Sequence, residues 1–400
     1  MTFSTLALIV LIGLLGPLLA ARQDWHLPIL LGELIAGIAF GATGLHRLHA
    51  QDSTFSFLAD IGFALVMFVA GTHVPVRDPS MRTVLPAGAL RAVAVAVISV
   101  PLGFAISHGF GTGHPALYAV LIASSSATVI LPVIDSLGLG GPDITALLPQ
   151  VAIADAACIV ALPLAIDPSH AGRDGLGALA IIGCGVVFYF ALRRSEVSGL
   201  RLRLRAVSEA RSFALELRIS LTILFALAAL ATKTHVSIML AGFTLGLAVT
   251  ATGPPRRLAN QLFAITEGFF GPLFFVWLGA TLNLRDLWHR PSYIVLGLAL
   301  GVGAAAAHTA MRLSGQRIAE GALGAAQIGV PIAAATLGAQ LHLLKPGEAG
   351  ALMLGALVTI AIAILAGRRF VATGDVVGPE PAQSTEPSAE PSAESSPPPP

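Results

Sequence analysis

The sequence has 400 residues, of which 55% are hydrophobic and 11% charged, with a formal net charge of +1. Soluble domains carry about 25% charged residues, so the composition excludes an ordinary soluble fold and indicates a polytopic membrane protein whose surroundings are the lipid bilayer. The near-neutral balance gives no reason to expect nucleic acid as a partner.

The 42 glycines point to helices in close contact, since small residues let backbones approach where no hydrophobic effect drives association, and to a helical bundle rather than a barrel. Cys158 and Cys184 lie in apolar runs without ligand spacing, so neither a disulfide framework nor a metal site is expected, and nothing calls for a cofactor.

The opening stretch MTFSTLALIVLIGLLGPLLAARQ has no basic residue before its apolar run and no clear A-x-A pattern. It reads as a retained first span rather than a signal peptide. Windows of about 20 apolar residues, the length that crosses a ~30 Å hydrocarbon core, then place about thirteen spans: 4–20, 27–45, 55–74, 84–107, 115–136, 145–166, 175–193, 213–232, 235–252, 260–282, 292–312, 318–342 and 348–367.

The connection RRSEVSGLRLRLRAVSEARS (193–212) carries six arginines, which marks it as cytoplasmic. Alternate connections counted from it hold fifteen Lys and Arg on that side and six on the other, which puts the N-terminus outside and the C-terminus in the cytoplasm. The same connection splits the apolar region into comparable halves, the layout of a transporter built from inverted repeats. The membrane domain is expected over 1–372. Residues 373–400, rich in Pro, Ser and Glu, cannot bury enough surface to offset ordering entropy and are expected to be a disordered tail.

Two spans carry marks of interruption. In ALYAVLIASSSATVILPVIDSLG, Ser124, Ser125, Ser126 and Thr128 precede Pro132; in IAEGALGAAQIGVPIAAATLGAQL, Gln327, Gly329 and Pro331 fall mid-span. Irregular backbone at membrane depth persists only where protein buries it or a cavity hydrates it, and one interrupted helix per half points to a midplane substrate site. Either proline alone is better explained as an ordinary kink, with the hydroxyls bonding to their own helix. The matched pair gains force from Asp155, in QVAIADAACI on the next span. A charged Asp at a helix centre costs at least ~2.5 kcal/mol on insertion scales and is a functional-site hypothesis by default. Its carboxylate, with nearby hydroxyls and exposed carbonyls, supplies the oxygen ligands a hard cation prefers.

These residues resemble the monovalent cation:proton antiporter superfamily, in particular the branch of the glutathione-gated potassium efflux systems and the bacterial sodium/proton exchangers. The similar stretches are LPILLGELIAGIAFGATGL (27–45), FLADIGFALVMFVAGTHV (57–74), ASSSATVILPVIDSLG (123–138), HVSIMLAGFTLGLAV (235–249) and, most specific, EGFFGPLFFVWLGATLNL (267–284).

The resemblance runs over about 5–370. It implies an all-α integral membrane fold with an interface domain beside a core domain in which two discontinuous helices cross. It also implies a homodimer in a bacterial inner membrane, and Na+ or K+ and H+ as substrates. Asp155 occupies the position of the carboxylate that binds cation and proton in competition. Three departures stand out: Ala154 precedes Asp155 where the family has Asp, Asn or Gln; the basic residue of span eleven falls near Val302 or Gly303; and the glutamate of the second interrupted helix is Val330.

The other ionisable groups have quieter explanations. Glu33 suits a packing or interface role, Asp60 sits near a span end, and Glu267 reads as a structural partner. His308 and Arg312 lie where a cation snorkels to the surface, although His308 is the residue to replace the missing base. Arg91, Glu216 and Arg218 suit ion pairs at helix contacts.

The expected activity is exchange of Na+ or K+ for H+ at Asp155 by alternating access. Burial favours the neutral form of a carboxylate, so proton and cation compete for the same oxygens. With one ionisable group in the core, exchange is expected to be electroneutral. The alternatives are a sodium-coupled organic anion symporter, which lacks a core Arg or Lys to pair its substrate, and a non-coupled channel or sensor. An enzyme is not expected, since no H-E-x-x-H or paired intramembrane aspartates occur.

Overall fold

The computed structural model describes residues 1–21, 29–72, 81–198, 213–234, 236–253, 256–282 and 284–372. Most of the basic connection, residues 199–212, and the 373–400 tail lie outside the described residues. The described chain is all helical, with ten helices long and apolar enough to cross a membrane and three shorter apolar ones. That agrees with the thirteen spans read from hydropathy.

In chain order the helices are α1 (Phe3–Ala20), α2 (Ile29–Phe40), α3 (Ser53–Thr72), α4 (Met81–Phe110), α5 (Pro115–Ala123), α6 (Ala127–Ser136), α7 (Pro142–Ile166), α8 (Ala171–Val197) and α9 (Leu215–Lys233). There follow α10 (Ile238–Thr252), α11 (Arg256–Ile265), a π turn (Thr266–Phe270), α12 (Gly271–Thr281), a short α13 (Leu284–His289), α14 (Pro291–Thr309), α15 (Ile318–Gly324), α16 (Gly329–Gln340) and α17 (Glu348–Ala372).

Two bundles result. In one, α3 packs on α10 and α2 on α12. A Cβ on Gly242 would run into the Ala64 carbonyl oxygen, one on Gly246 into that of Phe68, and one on Gly279 into that of Leu34. Glycine at these positions lets backbone meet backbone, the contact that replaces hydrophobic drive inside lipid. Phe63 stacks on Phe274 with centroids 4.8 Å apart and closes the α3–α12 contact.

In the second bundle, α4 and α7 pack together as α14 and α17 do, with α5, α6, α15 and α16 between them. The repeated pairing is that expected of two structural repeats.

Both predicted interruptions are present, though not at the prolines. The first spans 124–126, between α5 and α6; the second spans 325–328, between α15 and α16. Pro331 falls in the first turn of α16, where its missing N–H is not needed, and Pro132 lies inside α6. The chain breaks upstream, where side chains and the opposite stretch satisfy the freed backbone.

Candidate functional site

Each unwound stretch leaves the last carbonyls of one half-helix and the first amides of the next without helical partners. The backbone accounting shows how the sequence meets that need. Ser124 is extended (φ −74°, ψ 149°), and its hydroxyl lies 3.0 Å from the Leu121 carbonyl at the end of α5. Ser126 starts α6, its carbonyl accepting from Ile130 N at 3.0 Å, while its own N–H donates to the Ala326 carbonyl at 2.9 Å. That bond joins the two interruptions main chain to main chain. Ile328 starts α16 in the same way, accepting from Ile332 N at 3.0 Å, and Gln327 N donates to Thr359 Oγ1 at 3.3 Å on α17.

Asp155, near the middle of α7, is 5% exposed, and its Oδ2 accepts from Ala127 N, the first amide of α6, at 3.1 Å. A carboxylate is favoured there because the N-terminus of a helix carries partial positive charge.

The predicted hydroxyls lie in and just after the first interruption. The Ser125 hydroxyl donates to the Gly324 carbonyl at 2.6 Å, and the Ser126 and Thr128 hydroxyls are 2.8 Å apart. Ser124 also reaches the Gln327 side-chain oxygen across the crossing. Ser124, Ser125, Ser126 and Gln327 are buried, and Thr128 is half-buried.

His308 departs from its expected place. It is 0% exposed rather than snorkelling to a surface. Its Nδ1 donates to the Ala304 carbonyl at 2.9 Å, since a carbonyl can only accept, and its Nε2 lies 3.2 Å from Ser125 Oγ. The α14 helix places it against α15: a Cβ on Gly321 would stand 2.7 Å from the His308 carbonyl oxygen. Of the positions expected for the base, Val302 is 57% exposed, and Gly303 packs by Ile106 and Ile122. Val330 is buried in the first turn of α16.

The remaining carboxylates lie elsewhere. Glu33 is 4% exposed on α2, against Gly16 of α1. Asp60 is half-buried on α3, and Glu267 is exposed in the π turn before α12. Arg91 Nε donates to Ser314 Oγ at 3.2 Å, and its charge also acts on the Glu320 carboxylate. Sequence reasoning missed Thr359 on α17 and the Gly324 carbonyl. The first is a lone hydroxyl in an apolar run, and the second carries no side-chain signal at all.

A buried carboxylate bonded to the first amide of one of two interrupted helices that meet at their unwound stretches is the arrangement of secondary transporters. The model of the family described as "Sodium/hydrogen exchanger, transmembrane" matches residues 6–371, and the chain belongs to that family, one of transporters and not of enzymes.

A putative Na+/H+ antiporter, YjbQ of Bacillus subtilis (strain 168), is 26% identical over 379 residues, covering 89% of this chain and 61% of the relative. The chain thus spans about three fifths of that protein's length. A probable Na+/H+ antiporter 3 of Methanocaldococcus jannaschii is 25% identical over 337 residues, covering 80% of this chain and 85% of the relative. Among solved structures, the sodium proton antiporter MjNhaP1 of the same archaeon matches with a TM-score of 0.67 at 15% identity, over 94% of this chain and 98% of that one. At that identity the likeness establishes the fold.

Proposed function

We propose that the chain exchanges Na+ for H+ across a membrane, with Asp155 as the group that both bind. One observation carries this reading: the only ionisable side chain seated on a half-helix N-terminus at the crossing, among the described residues, is this carboxylate. Protonated, Asp155 is neutral and needs no counter-ion. Ionised, it attracts a cation whose remaining ligands come from the oxygens of Ser125, Ser126, Thr128 and the unwound carbonyls. Proton and Na+ therefore exclude one another, and a site that faces the two sides in turn converts that exclusion into coupled exchange. The relatives are named as Na+/H+ antiporters, which favours Na+ over K+.

His308 serves as the positioning residue that span eleven otherwise lacks, holding Ser125 from a third helix. Ala154 and Val330 add no charge to the core, so one proton moves per Na+ and exchange is electroneutral. The Lys and Arg count supports a cytoplasmic C-terminus, and two copies of the chain form the working unit in a bacterial inner membrane, with residues 373–400 as an appendage.

The test is proton flux in everted vesicles with Na+, K+ and Li+ added in turn. Wild type should release protons on addition of Na+, and Asp155→Asn should not, while remaining folded. Wild-type flux in Asp155→Asn removes the carboxylate from the mechanism; an organic anion requirement, or cation leak without proton movement, would instead favour the symporter or channel readings. In proteoliposomes, a rate that follows an imposed voltage would end the one-for-one stoichiometry.

A further inference from the structure

Between the crossing and the Asp143–Arg317 end, the core bundle contains polar groups that Na+/H+ exchange at Asp155 leaves unused. Gln150, on α7, is 0% exposed, and Gln316, between α14 and α15, is 3% exposed. Gln316 Nε2 donates to Gln150 Oε1 at 2.9 Å, leaving Gln150 Nε2 and Gln316 Oε1 without a hydrogen-bond partner among the described residues. Turning both amides over leaves the same balance of one donor and one acceptor, so the conclusion does not depend on their assignment. A cation would not satisfy the donor, nor an anion the acceptor. A water molecule satisfies both, and buried waters bridge such groups.

The pair occupies the middle of a longer path. At one end Gln316 adjoins Arg317, which pairs with Asp143 at 3.3 Å, both being nearly half exposed, and lies 3.9 Å from the buried Glu320. At the other end, a Cβ on Gly324 would stand 3.2 Å from Leu147 Cδ1, 3.7 Å from His308 Cδ2 and 4.0 Å from Gln150 Nε2, which puts the Gln150 amide beside the end of α15. The Gly324 carbonyl in turn holds Ser125 at the crossing. Polar groups thus lie between an exposed rim and the unwound stretch, with Leu147 packed beside them.

We propose that Gln150 and Gln316 hold water here, and that this water passes protons, and not Na+, between the Asp143–Arg317 rim and the crossing in the state whose site faces that rim. Each water or hydroxyl accepts one proton and releases another, so no net bond is made; the amides fix the water and carry no proton. The proposal rests on exchange at Asp155.

Two transport modes separate its parts. Purified full-length protein in proteoliposomes is assayed for Na+ uptake driven by a pH gradient and for Na+/Na+ exchange at equal pH, the second needing no proton. The double variant Gln150→Met, Gln316→Met keeps the volume and removes both amides together, a change that leaves no buried polar partner stranded. It should slow the proton-driven mode roughly tenfold or more, the factor that about 1.4 kcal/mol on a barrier produces. Na+/Na+ exchange and its apparent Na+ affinity should stay at wild-type values.

Equal loss in both modes, or loss in neither, overturns the proposal. If the double variant is not recovered folded, Gln316→Met alone is read in the same way, and failure of both to fold assigns the pair to stability and also overturns it. Asp155→Asn, run alongside, judges the exchange site separately: proton-driven uptake that survives there refutes that site whatever the glutamines do.

Discussion

The two interruptions meet at one point but are built of different material. The first, Ser-Ser-Ser, brings hydroxyls that bond to Leu121, Gly324 and Thr128. The second, Ala-Ala-Gln-Ile, brings carbonyls, two alanines that are 0% exposed and one polar side chain, Gln327, which meets Ser124. One half of the molecule thus supplies most of the side-chain chemistry, and the other mainly backbone and close packing. Structural repeats need not share chemistry: each keeps the break, and the polar residues concentrate on the side that faces Asp155.

This division can be broken experimentally. The largest effect is expected from the second stretch's packing. Gly321→Ala would put a methyl group 2.7 Å from the His308 carbonyl oxygen and 2.9 Å from Thr309 Cα, on rigid backbone. Overpacking of this kind costs ~1–3 kcal/mol or more. Little monodisperse protein should survive size-exclusion chromatography; a normal yield with altered Na+ affinity would mean that α15 takes part in binding rather than packing.

Next is Ser125→Ala, which strands the Gly324 carbonyl and one nitrogen of His308, at ~1–3 kcal/mol for a buried group left unsatisfied. It should lower the melting temperature and raise the apparent Km for Na+ together. Unchanged Km would remove the first stretch from the ion's path.

Smaller again is Thr359→Val, which removes a hydroxyl that donates to the Ala356 carbonyl and strands one buried group rather than two, the Gln327 amide, toward the lower end of ~1–3 kcal/mol. A modest drop in melting temperature at constant Km is expected, and a large rise in Km would show that the second stretch also sets the ligands. Deleting residues 375–400 should change neither quantity. A shifted pH response in the truncated protein would contradict the reading of that segment as an appendage.

The spans were legible because hydropathy over about 20 residues is a property of composition, indifferent to which faces meet. So was Asp155, since a lone carboxylate in such a run has few structural uses. The breaks fall at residues the sequence singled out, Ser124–Ser126 and Gln327, but their exact bounds did not show, because proline marks where a helix lacks one bond, whereas the interruption lies where Ser126 and Ala326 can satisfy each other across the bundle. His308 was placed at a surface for a related reason: distance along the span suggested an end, and only the close approach of α14 to α15 at Gly321 takes the ring inside. The Gln150–Gln316 contact and the role of Thr359 depend on which faces of different helices pair, information that no local pattern holds.

The bond from Ser126 N to the Ala326 carbonyl also bears on biosynthesis. Its acceptor is translated some two hundred residues after its donor, which at roughly 5–20 residues per second is an interval of about ten to forty seconds. Throughout that time the first interrupted span has an amide without its final partner, in a medium where such a group is costly. Until the second half emerges, the span must wait at the membrane surface, keep water beside it, or insert as a continuous helix and unwind later. The break is therefore a late event in the life of the chain, completed only when the twelfth of the thirteen spans arrives.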